Sequence, residues 1–253
     1  MQKKFGQKTS WQKVAPWYNK ITGDSGHYYH EHLVIPGVIR LLNLKPESKL
    51  LDLACGNGVL GRAINKNVAY TGVDVAPSLI SEAKRMDRNP NHEYLVSDIT
   101  KPLNLPNDFT NAAIVLSLQN VADPLLAIKN ASDHLKSGSS LVIALNHPAF
   151  RIPRQSSWEI DEGKKTQFRR IDRYMTPLEI PINMNPGDRT SKLTLSYHFP
   201  ISAYSRMLKD AGFTIDLIEE WTSDKESVGS AGRMENRARN EFPLFMAIRA
   251  TKL

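Results

Sequence analysis

The sequence predicts a doubly wound α/β fold, built on a seven-stranded and mostly parallel sheet whose last strand is reversed. Three observations lead to this prediction. Strand-like and helix-like segments alternate between residues 49 and 146, as in βαβ units. The strand segments are nearly continuous apolar runs, which is typical of strands that helices cover on both faces. A glycine-containing loop, CGNG, follows the first of these strands.

The first five strands and the helices between them can be placed in order. Proline suits the first turn of a helix, and Pro77 and Pro124 each begin one. Gly138 has the sequence position of a left-handed C-cap, so it predicts the end of the third helix. The predicted strands are 49–54, 69–75, 92–98, 111–118 and 140–146, and the helices are 59–67, 77–86 and 124–137.

The end of the chain predicts a helix over 201–213, capped at Gly212, and two strands over 214–221 and 242–252. The polar segment between these strands shows no hydrophobic face for a crossover helix, which favours an antiparallel last strand. Two helices are predicted before the sheet, at 11–21 and 28–44, the second interrupted near Pro36. The predicted organisation is lid helices over 1–44, a core over 45–147 and 200–253, and a substrate-pocket insertion over 148–199.

Composition narrows the class of protein. The chain has 253 residues, 41% of them hydrophobic, which is enough for a full core. It has no apolar run of membrane-spanning length and no secretion signal, so we expect a cytoplasmic protein. One cysteine, Cys55, excludes an intrachain disulfide, and we read it as a small loop residue. The net charge of +7 keeps a nucleic-acid partner open without requiring one.

The glycine loop has two interpretations. Gly56, Gly58 and Gly61 spell G-x-G-x-x-G between a strand and a helix, a pattern that also serves dinucleotide binding or simple close packing. Acidic residues help to decide which ligand the loop binds. Three of them, Asp52, Asp74 and Asp98, stand at or near the ends of three predicted strands. Carboxylates would repel the phosphates of a dinucleotide but stabilise the sulfonium and ammonium groups of S-adenosylmethionine. The three acids therefore favour the cationic cofactor.

Four segments carry a resemblance to a known family. LLDLACGNGVL, YTGVDVAPSLISEAK, YLVSDIT and VLSLQNVADPLLAIKNASDHLKSGSSLVIAL resemble motifs I to IV of the class I S-adenosylmethionine-dependent methyltransferases. They are most similar to the branch with quinone-biosynthesis and small-molecule methyltransferases. The resemblance covers about residues 45–147 and the terminal helix and hairpin. It implies the same seven-stranded sheet with a reversed last strand.

The resemblance also implies which residues contact S-adenosylmethionine. Asp52 would lie near the ammonium group, Asp74 would bind both ribose hydroxyls, and Asp98 would read the adenine edge. Apolar neighbours at the strand ends would pack on adenine or methionine, although core packing is an alternative role for them. The implied cofactor residues are Asp52, Gly56, Asn57, Gly58, Asp74, Val75, Asp98, Ile99, Leu116 and Ser117.

A histidine-rich segment precedes the core. Its spacing resembles a metal site only weakly, and no cysteine supports one, so we predict no metal. Related small-molecule methyltransferases fold such a helix over the cofactor, and we expect Tyr29 and His30 to face the cofactor site. An amphipathic helix with exposed histidines is the alternative.

The candidate residues for the methyl acceptor follow the fifth strand. His147 stands at the carboxyl edge of the predicted sheet and is the leading candidate for a general base, although it could instead only orient the substrate. The insertion brings arginines and aromatics that could clamp an aromatic acid, a phosphate or a stacked base, or could simply form a solvated lid. These candidates are Phe150, Arg151, Trp158, Arg169, Arg170, Tyr174 and His198.

The sequence as a whole predicts an S-adenosylmethionine-dependent methyltransferase that acts on a small-molecule acceptor by in-line transfer. An RNA methyltransferase is the runner-up, because the isoelectric point is about 9.4 and arginines are frequent. A cofactor-binding protein without catalysis is a third possibility. The acceptor atom and the oligomeric state do not follow from the sequence.

Overall fold

The computed structural model describes residues 26–183 and 193–253, together with residues 11, 12, 15 and 23. Its strands are β1 Lys49–Leu53, β2 Ala69–Asp74, β3 His92–Val96, β4 Phe109–Val115, β5 Leu135–Asn146, β6 Ser156–Asp161, β7 Thr166–Ile171, β8 Leu178–Asn183, β9 Leu193–His198, β10 Phe213–Trp221 and β11 Phe245–Lys252. Its α-helices are α1 Ile35–Leu42, α2 Val59–Ala63, α3 Pro77–Met86, α4 Pro124–His134, α5 Ile201–Asp210 and α6 Gly232–Glu241.

Seven strands form the central sheet, in the order β10-β11-β5-β4-β1-β2-β3. The pairs among β1 to β5 are parallel. Strand β11 lies between β5 and β10 and is antiparallel to both. The predicted fold class, including the reversed last strand, is therefore confirmed.

Helices cover both faces of this sheet, as the continuous apolar strands predict. Alternate residues of β1 point to opposite faces. Leu51 and Leu53 belong to a buried cluster that includes side chains of α4 and α5, and Leu50 belongs to a second cluster with α1, α2 and α3. No helix in the described ranges is long and apolar enough to cross a membrane.

The helices predicted over 124–137 and 59–67 both end earlier in the structure than predicted. Helix α4 ends at His134 rather than near Gly138, because Leu135 already pairs with Phe109 and begins β5. Gly138 does adopt a left-handed φ of 77°, but within an irregular stretch of β5 where the register with β4 shifts. Helix α2 ends at Ala63, short of the predicted residue 67, because Ile64 is extended.

Helix α6 lies in the polar segment from which no helix was expected. It buries only Gly232 and Ala238, so it has no continuous apolar face to reveal it in the sequence. The strands that it connects, β10 and β11, are nevertheless antiparallel, as predicted.

The predicted helix over 28–44 is observed as a π-helical turn, His30–Val34, that continues into α1 with Pro36 near its start. The predicted helix over 11–21 lies outside the described residues except at positions 11, 12 and 15. Those positions contact the start of α3: Ala15 is buried against Ala76 and Leu79, and the Gln12 side-chain oxygen accepts the Ser78 amide hydrogen at 3.2 Å.

The segment over 148–199 contributes two hairpins, β6–β7 and β8–β9, outside the central sheet. The strands of the central sheet lie in residues 49–146 and 213–252. The division into lid, core and insertion stays a prediction.

Glycine packing fixes the first βαβ unit. A Cβ atom on Gly61 would lie 2.6 Å from the Tyr94 hydroxyl and 2.9 Å from the Tyr70 ring. Gly58 combines a left-handed φ of 79° with a similar approach, since its Cβ would lie 2.7 Å from the Tyr94 hydroxyl. Both glycines therefore let α2 and the preceding loop lie directly on two tyrosines of β2 and β3.

This contact predicts the effect of Gly61→Ala. Helix propensity alone would favour alanine by about 1 kcal/mol. The clash with Tyr94 and Tyr70 should outweigh that gain, so we expect the free energy of unfolding to fall by about 1–3 kcal/mol. Chemical denaturation measures the difference. Gly163→Ala is the matched control, because a Cβ there meets only the Asp161 carboxylate at 3.4 Å. A Gly61→Ala protein more stable than the parent would contradict the packing argument.

Candidate functional site

The sheet places the candidate site at the carboxyl end of β1. Strand β1 pairs with β2 on one side and with β4 on the other, so the connections on its two sides diverge there. In open α/β sheets, ligands bind in the crevice at such a point. Asp52 and Asp74 lie near the ends of β1 and β2, and the loop over 54–58 runs between β1 and α2.

Three residues of this loop have left-handed backbone conformations, at φ values of 62° for Ala54, 58° for Gly56 and 79° for Gly58. Such a conformation is strained for alanine but not for glycine. Two hydrogen bonds hold the loop against β2: the Cys55 amide donates to the Val73 carbonyl at 3.0 Å, and the Gly56 amide donates to the Asp74 carboxylate at 3.0 Å.

Asp52 is a buried acid with one unused oxygen. It is only 2% exposed, and its Oδ2 accepts the Tyr70 hydroxyl hydrogen at 2.7 Å. Its Oδ1 has no hydrogen-bond partner among the described residues. Burial, reinforced by the neighbouring Asp74 carboxylate, raises the pKa of Asp52 to about 7 despite the hydrogen bond from Tyr70. A cationic group of a ligand would satisfy this oxygen and favour the ionised form.

Asp74 already binds the backbone with both oxygens. Oδ1 accepts the Ala76 amide hydrogen at 2.9 Å and Oδ2 accepts that of Gly56. Burial raises the pKa of Asp74, while these backbone donors act against the rise. Each carboxylate oxygen has two lone pairs, so the bonds leave one on each oxygen for the predicted ribose contacts. Those contacts stay a prediction.

The other predicted cofactor residues lie at neighbouring strand ends. Asp98 follows β3, and its Oδ1 accepts hydrogen bonds from the Thr100 amide and hydroxyl at 2.9 and 2.7 Å. Val75 is 49% exposed, unusual for a residue beside a core strand, whereas Ile99 is buried. Leu116 follows β4 with a left-handed φ of 49°. The structure brings these residues to one edge, and their cofactor roles stay predictions.

A cavity of about 280 Å³ opens at the same edge of the sheet, beyond β5. Two guanidinium groups border it. Arg151 lies over the Phe245 ring at 5.1 Å from its centroid, and Arg169 lies over Trp158 at the same distance. The lining residues are Tyr29, Phe150, Arg151, Trp158, Arg169, Phe242, Pro243 and Leu244. We refer to this space as the arginine cavity.

Four of the seven predicted acceptor residues line the arginine cavity, and three do not. Arg170 is exposed on β7 and pairs with Glu159 and Asp172 at 3.5 and 3.2 Å. Tyr174 and His198 contact each other, with a histidine Nε2 to carbonyl distance of 2.7 Å. His198 lines a separate space of about 20 Å³, which is room for one water molecule.

Residues 242–244 form one wall of the arginine cavity, and the sequence analysis did not include them among the site residues. Phe242 packs edge to face on both Phe150 and Trp158, at centroid distances of 5.4 Å. The signal was available, because the start of a reversed strand lies at the edge where the parallel strands end. The apolar residues FPL, 242–244, begin the predicted reversed strand, so the topology would have placed them beside the insertion.

His147 is buried and engaged at both ring nitrogens. Nδ1 accepts the amide hydrogens of Ala149 and Phe150 at 3.1 and 3.3 Å, so Nε2 carries the proton and donates to the Glu220 carboxylate at 2.6 Å. Burial lowers the pKa of His147, and Glu220 acts in the opposite direction. In this arrangement neither nitrogen is open to accept a substrate proton. His147 holds the turn that carries Phe150 and Arg151, and its role as a base stays a prediction.

The two lid candidates occupy different environments. Tyr29 lines the arginine cavity, and its hydroxyl lies 3.0 Å from the Ser223 hydroxyl. His30 is buried, stacks on His27 at a centroid distance of 4.4 Å, and has a pKa that burial lowers to about 4. His30 is therefore neutral at physiological pH. The described residues contain no group of three side chains that could hold a metal ion.

With this geometry established, comparisons identify the family. A family model described as a methyltransferase domain matches residues 26–218, which is most of the chain. The protein therefore belongs to the methyltransferase-domain family, as the strand-end motifs predicted. Its fold is that of the S-adenosylmethionine-dependent methyltransferases: one solved example, from Mesorhizobium loti, has a TM-score of 0.67 at 21% identity and covers 86% of this chain and 96% of that one.

Curated relatives include methyltransferases of quinone biosynthesis. The demethylmenaquinone methyltransferase of Staphylococcus haemolyticus is 27% identical over 155 residues, covering 58% of this chain and 64% of that protein. A ubiquinone biosynthesis O-methyltransferase of Xanthomonas campestris is 27% identical over 103 residues, covering 39% and 43%. The chain thus spans less than two thirds of the length of each of these relatives.

The raised pKa of Asp52 predicts how stability depends on pH. Between the unfolded value of 3.8 and the folded value of about 7, the folded protein binds more protons than the unfolded chain. The free energy of unfolding of the ligand-free protein should therefore fall as pH rises through this window. Asp52→Asn should remove this part of the slope and be more stable than the parent above pH 7. Denaturation curves at a series of pH values measure both effects.

Asp108→Asn is the control for this experiment. Asp108 pairs with Lys49 at the surface, and that hydrogen bond lowers its pKa, so its contribution changes only at more acidic pH. The slope between pH 4 and 7 should therefore be unchanged in this variant. An equal slope in Asp52→Asn and the parent would show that Asp52 is ionised throughout.

Proposed function

We propose that the protein is an S-adenosylmethionine-dependent methyltransferase that acts on a small-molecule acceptor. The observation that carries the cofactor assignment is that Oδ1 of buried Asp52, beside the carboxylate of Asp74, has no hydrogen-bond partner in the part of the chain that the structure describes. Two buried acids at adjacent strand ends suit a ligand with positive charge and oppose one with phosphates. Membership of the methyltransferase-domain family supports the same assignment.

The residues present fit this cofactor. Asp52 would hold its ammonium group, Asp74 would accept its ribose hydroxyls, and Asp98 would meet its adenine. Leu116 and Ser117 follow β4 and would border its methionine side, and the buried Ser117 hydroxyl oxygen has no partner among the described residues. The bound cofactor supplies an electrophilic methyl group on a sulfonium. The chain supplies alignment, which can account for about 7–11 kcal/mol of a barrier in a well-oriented reaction.

The arginine cavity is the proposed acceptor site. Strands β4 and β5 are neighbours, so the cavity beyond β5 lies beside the proposed methionine side. Its volume of about 280 Å³ is near the lower end of the range of small-molecule sites, about 300–1,000 Å³. Tyr29, Phe150 and Trp158 form aromatic parts of its lining and would contact the acceptor. The names of the curated relatives, which specify quinone-biosynthesis methyltransferases, support a small-molecule acceptor.

Binding measurements test the cofactor assignment. Calorimetry should show that S-adenosylmethionine binds without added metal and that NAD does not bind. Asp74→Asn should weaken this binding by about ten- to hundredfold, because the amide loses charge-assisted hydrogen bonds. Asp108→Asn should bind as the parent does. Tight NAD binding would overturn the assignment, and cofactor binding without methyl transfer to any of a broad acceptor panel would favour a non-catalytic protein.

His147→Asn tests the role of that histidine once an acceptor is identified. Because both nitrogens are engaged, we expect a higher KM for the acceptor, a less than tenfold fall in kcat, and an unchanged pH profile. Steady-state kinetics from pH 5 to 9 measures all three. A loss of about 10²–10⁴-fold in kcat, together with the loss of one ionisation from the profile, would instead establish His147 as the general base.

A further inference from the structure

The arginine cavity holds two positive charges and no negative one. Its lining contains Arg151 and Arg169, and the other six lining residues carry no carboxylate. Neither guanidinium forms a salt bridge with an acid of the described residues. This is uncommon for arginines in a partly buried site, where an unpaired charge is costly.

The two arginines also repel each other. Burial lowers the pKa of Arg151, Tyr29 acts in the opposite direction, and the nearby charge of Arg169 adds a smaller lowering. Burial lowers the pKa of Arg169 as well. A bound anion would offset both the burial and the mutual repulsion of the two guanidinium groups. Its negative charge would pair with them in a partly buried site, where such pairing is stronger than in water. The electrostatics of the cavity therefore point to an anionic ligand.

The arginines differ in how much of their hydrogen-bonding capacity is used. Arg169 is fixed by its Nε, which donates to the Phe150 carbonyl at 2.8 Å, and by Nη2, which donates to the Ser156 hydroxyl at 2.8 Å. The Arg151 side chain makes no hydrogen bond to a described residue, and its guanidinium carbon lies 5.1 Å from the centroid of the Phe245 ring. An arginine that stacks on a ring presents the planar edge of its guanidinium, which matches a carboxylate with two parallel hydrogen bonds.

The remaining walls suit a flat ring. Phe150, Trp158 and Phe242 all line the cavity, and the first two rings meet Phe242 edge to face at centroid distances of 5.4 Å. Aromatic ligands pack favourably on such surfaces. A cavity of about 280 Å³ limits the ligand to a small molecule of one or two rings.

We propose, on the basis of the methyltransferase function above, that the acceptor is a small aromatic carboxylate whose ring lies among Phe150, Trp158 and Phe242 and whose carboxylate pairs with Arg151 and Arg169. A carboxylate accepts two parallel hydrogen bonds from the planar edge of one guanidinium, and the second arginine lies in the same lining. A phosphate ester can also pair with two guanidinium groups, and the binding test below distinguishes it from a carboxylate. A neutral stacked base would leave both arginines unpaired. The aromatic carboxylate combines a negative charge for the arginines with a flat ring for the aromatic walls.

Equilibrium binding tests the proposal without any need for methyl transfer. The probes are 4-hydroxybenzoate, its neutral analogue 4-hydroxybenzamide, and phenyl phosphate, titrated into the parent protein with S-adenosylhomocysteine present. We expect the carboxylate to bind at least tenfold more tightly than the other two probes. Equal binding of the benzamide would overturn the anionic acceptor, and tighter binding of phenyl phosphate would overturn the carboxylate.

Variants assign the binding to this cavity. Arg151→Gln should weaken 4-hydroxybenzoate binding by about ten- to hundredfold, and Arg151→Lys should lie between Arg151→Gln and the parent, because it keeps the charge but loses the planar edge. Arg154→Gln is the matched control: Arg154 is exposed in the same turn but does not line the cavity, so binding should be unchanged. Equal losses in Arg154→Gln and Arg151→Gln would overturn the assignment. If Arg151→Gln fails to fold, the comparison of probes in the parent protein still decides the proposal.

The outcome for this proposal can be separated from that for the cofactor. S-adenosylmethionine binding with no preference for the carboxylate probe would overturn the aromatic-carboxylate proposal and leave the methyltransferase function in place. Arginine-dependent binding of 4-hydroxybenzoate without any S-adenosylmethionine binding would support anion binding in the arginine cavity and overturn the methyltransferase function.

Discussion

The central position of β1 is the constraint on which the site depends. Its register with β2 places Asp52 opposite Gly72, and its register with β4 places the same residue opposite Ala113. The neighbours on both sides are small, and Tyr70 reaches from β2 to donate a hydrogen bond to the Asp52 carboxylate. The crevice at the end of β1 and the loop over 54–58 follow from this pairing.

Acidic and basic residues occupy different parts of the crevice along the carboxyl edge of the sheet. Acids cluster at the ends of β1 and β2, whereas arginines lie beyond β5 and beside the start of β11. Neighbouring strands are about 4.8 Å apart, so three strand spacings, about 14 Å, separate β1 from β11. A cationic donor and an anionic acceptor would therefore each find a complementary half, and each would be repelled from the other half. For the proposed ligands, this separation of charges would favour one orientation of donor and acceptor.

The acidic half could be predicted from the sequence because each of its residues lies at a strand end, in a contiguous strand–loop–helix segment. Similar lengths of chain separate Asp52, Asp74 and Asp98. The alternation of apolar strand segments with helix segments makes these lengths visible in the sequence. The arginine cavity could be predicted only in part, since it joins Tyr29, the turn after β5, the β6–β7 hairpin and residues 242–244. No local pattern encodes such a convergence. Helix α6 was missed for a related reason, because its only buried positions are a glycine and an alanine.

The reversed direction of β11 has a consequence for how this fold can diversify. Strand β11 begins at the edge where the parallel strands end. Residues 242–244 therefore reach the cavity directly after an exposed linker and helix α6. The β6–β7 hairpin enters from the segment over 148–199, outside the central sheet. Substitutions, insertions or deletions in these two segments can reshape the wall of the arginine cavity while the pairing of β1 with β2 and β4 is untouched. Under the function proposed above, acceptor choice can therefore change without a change in the central sheet.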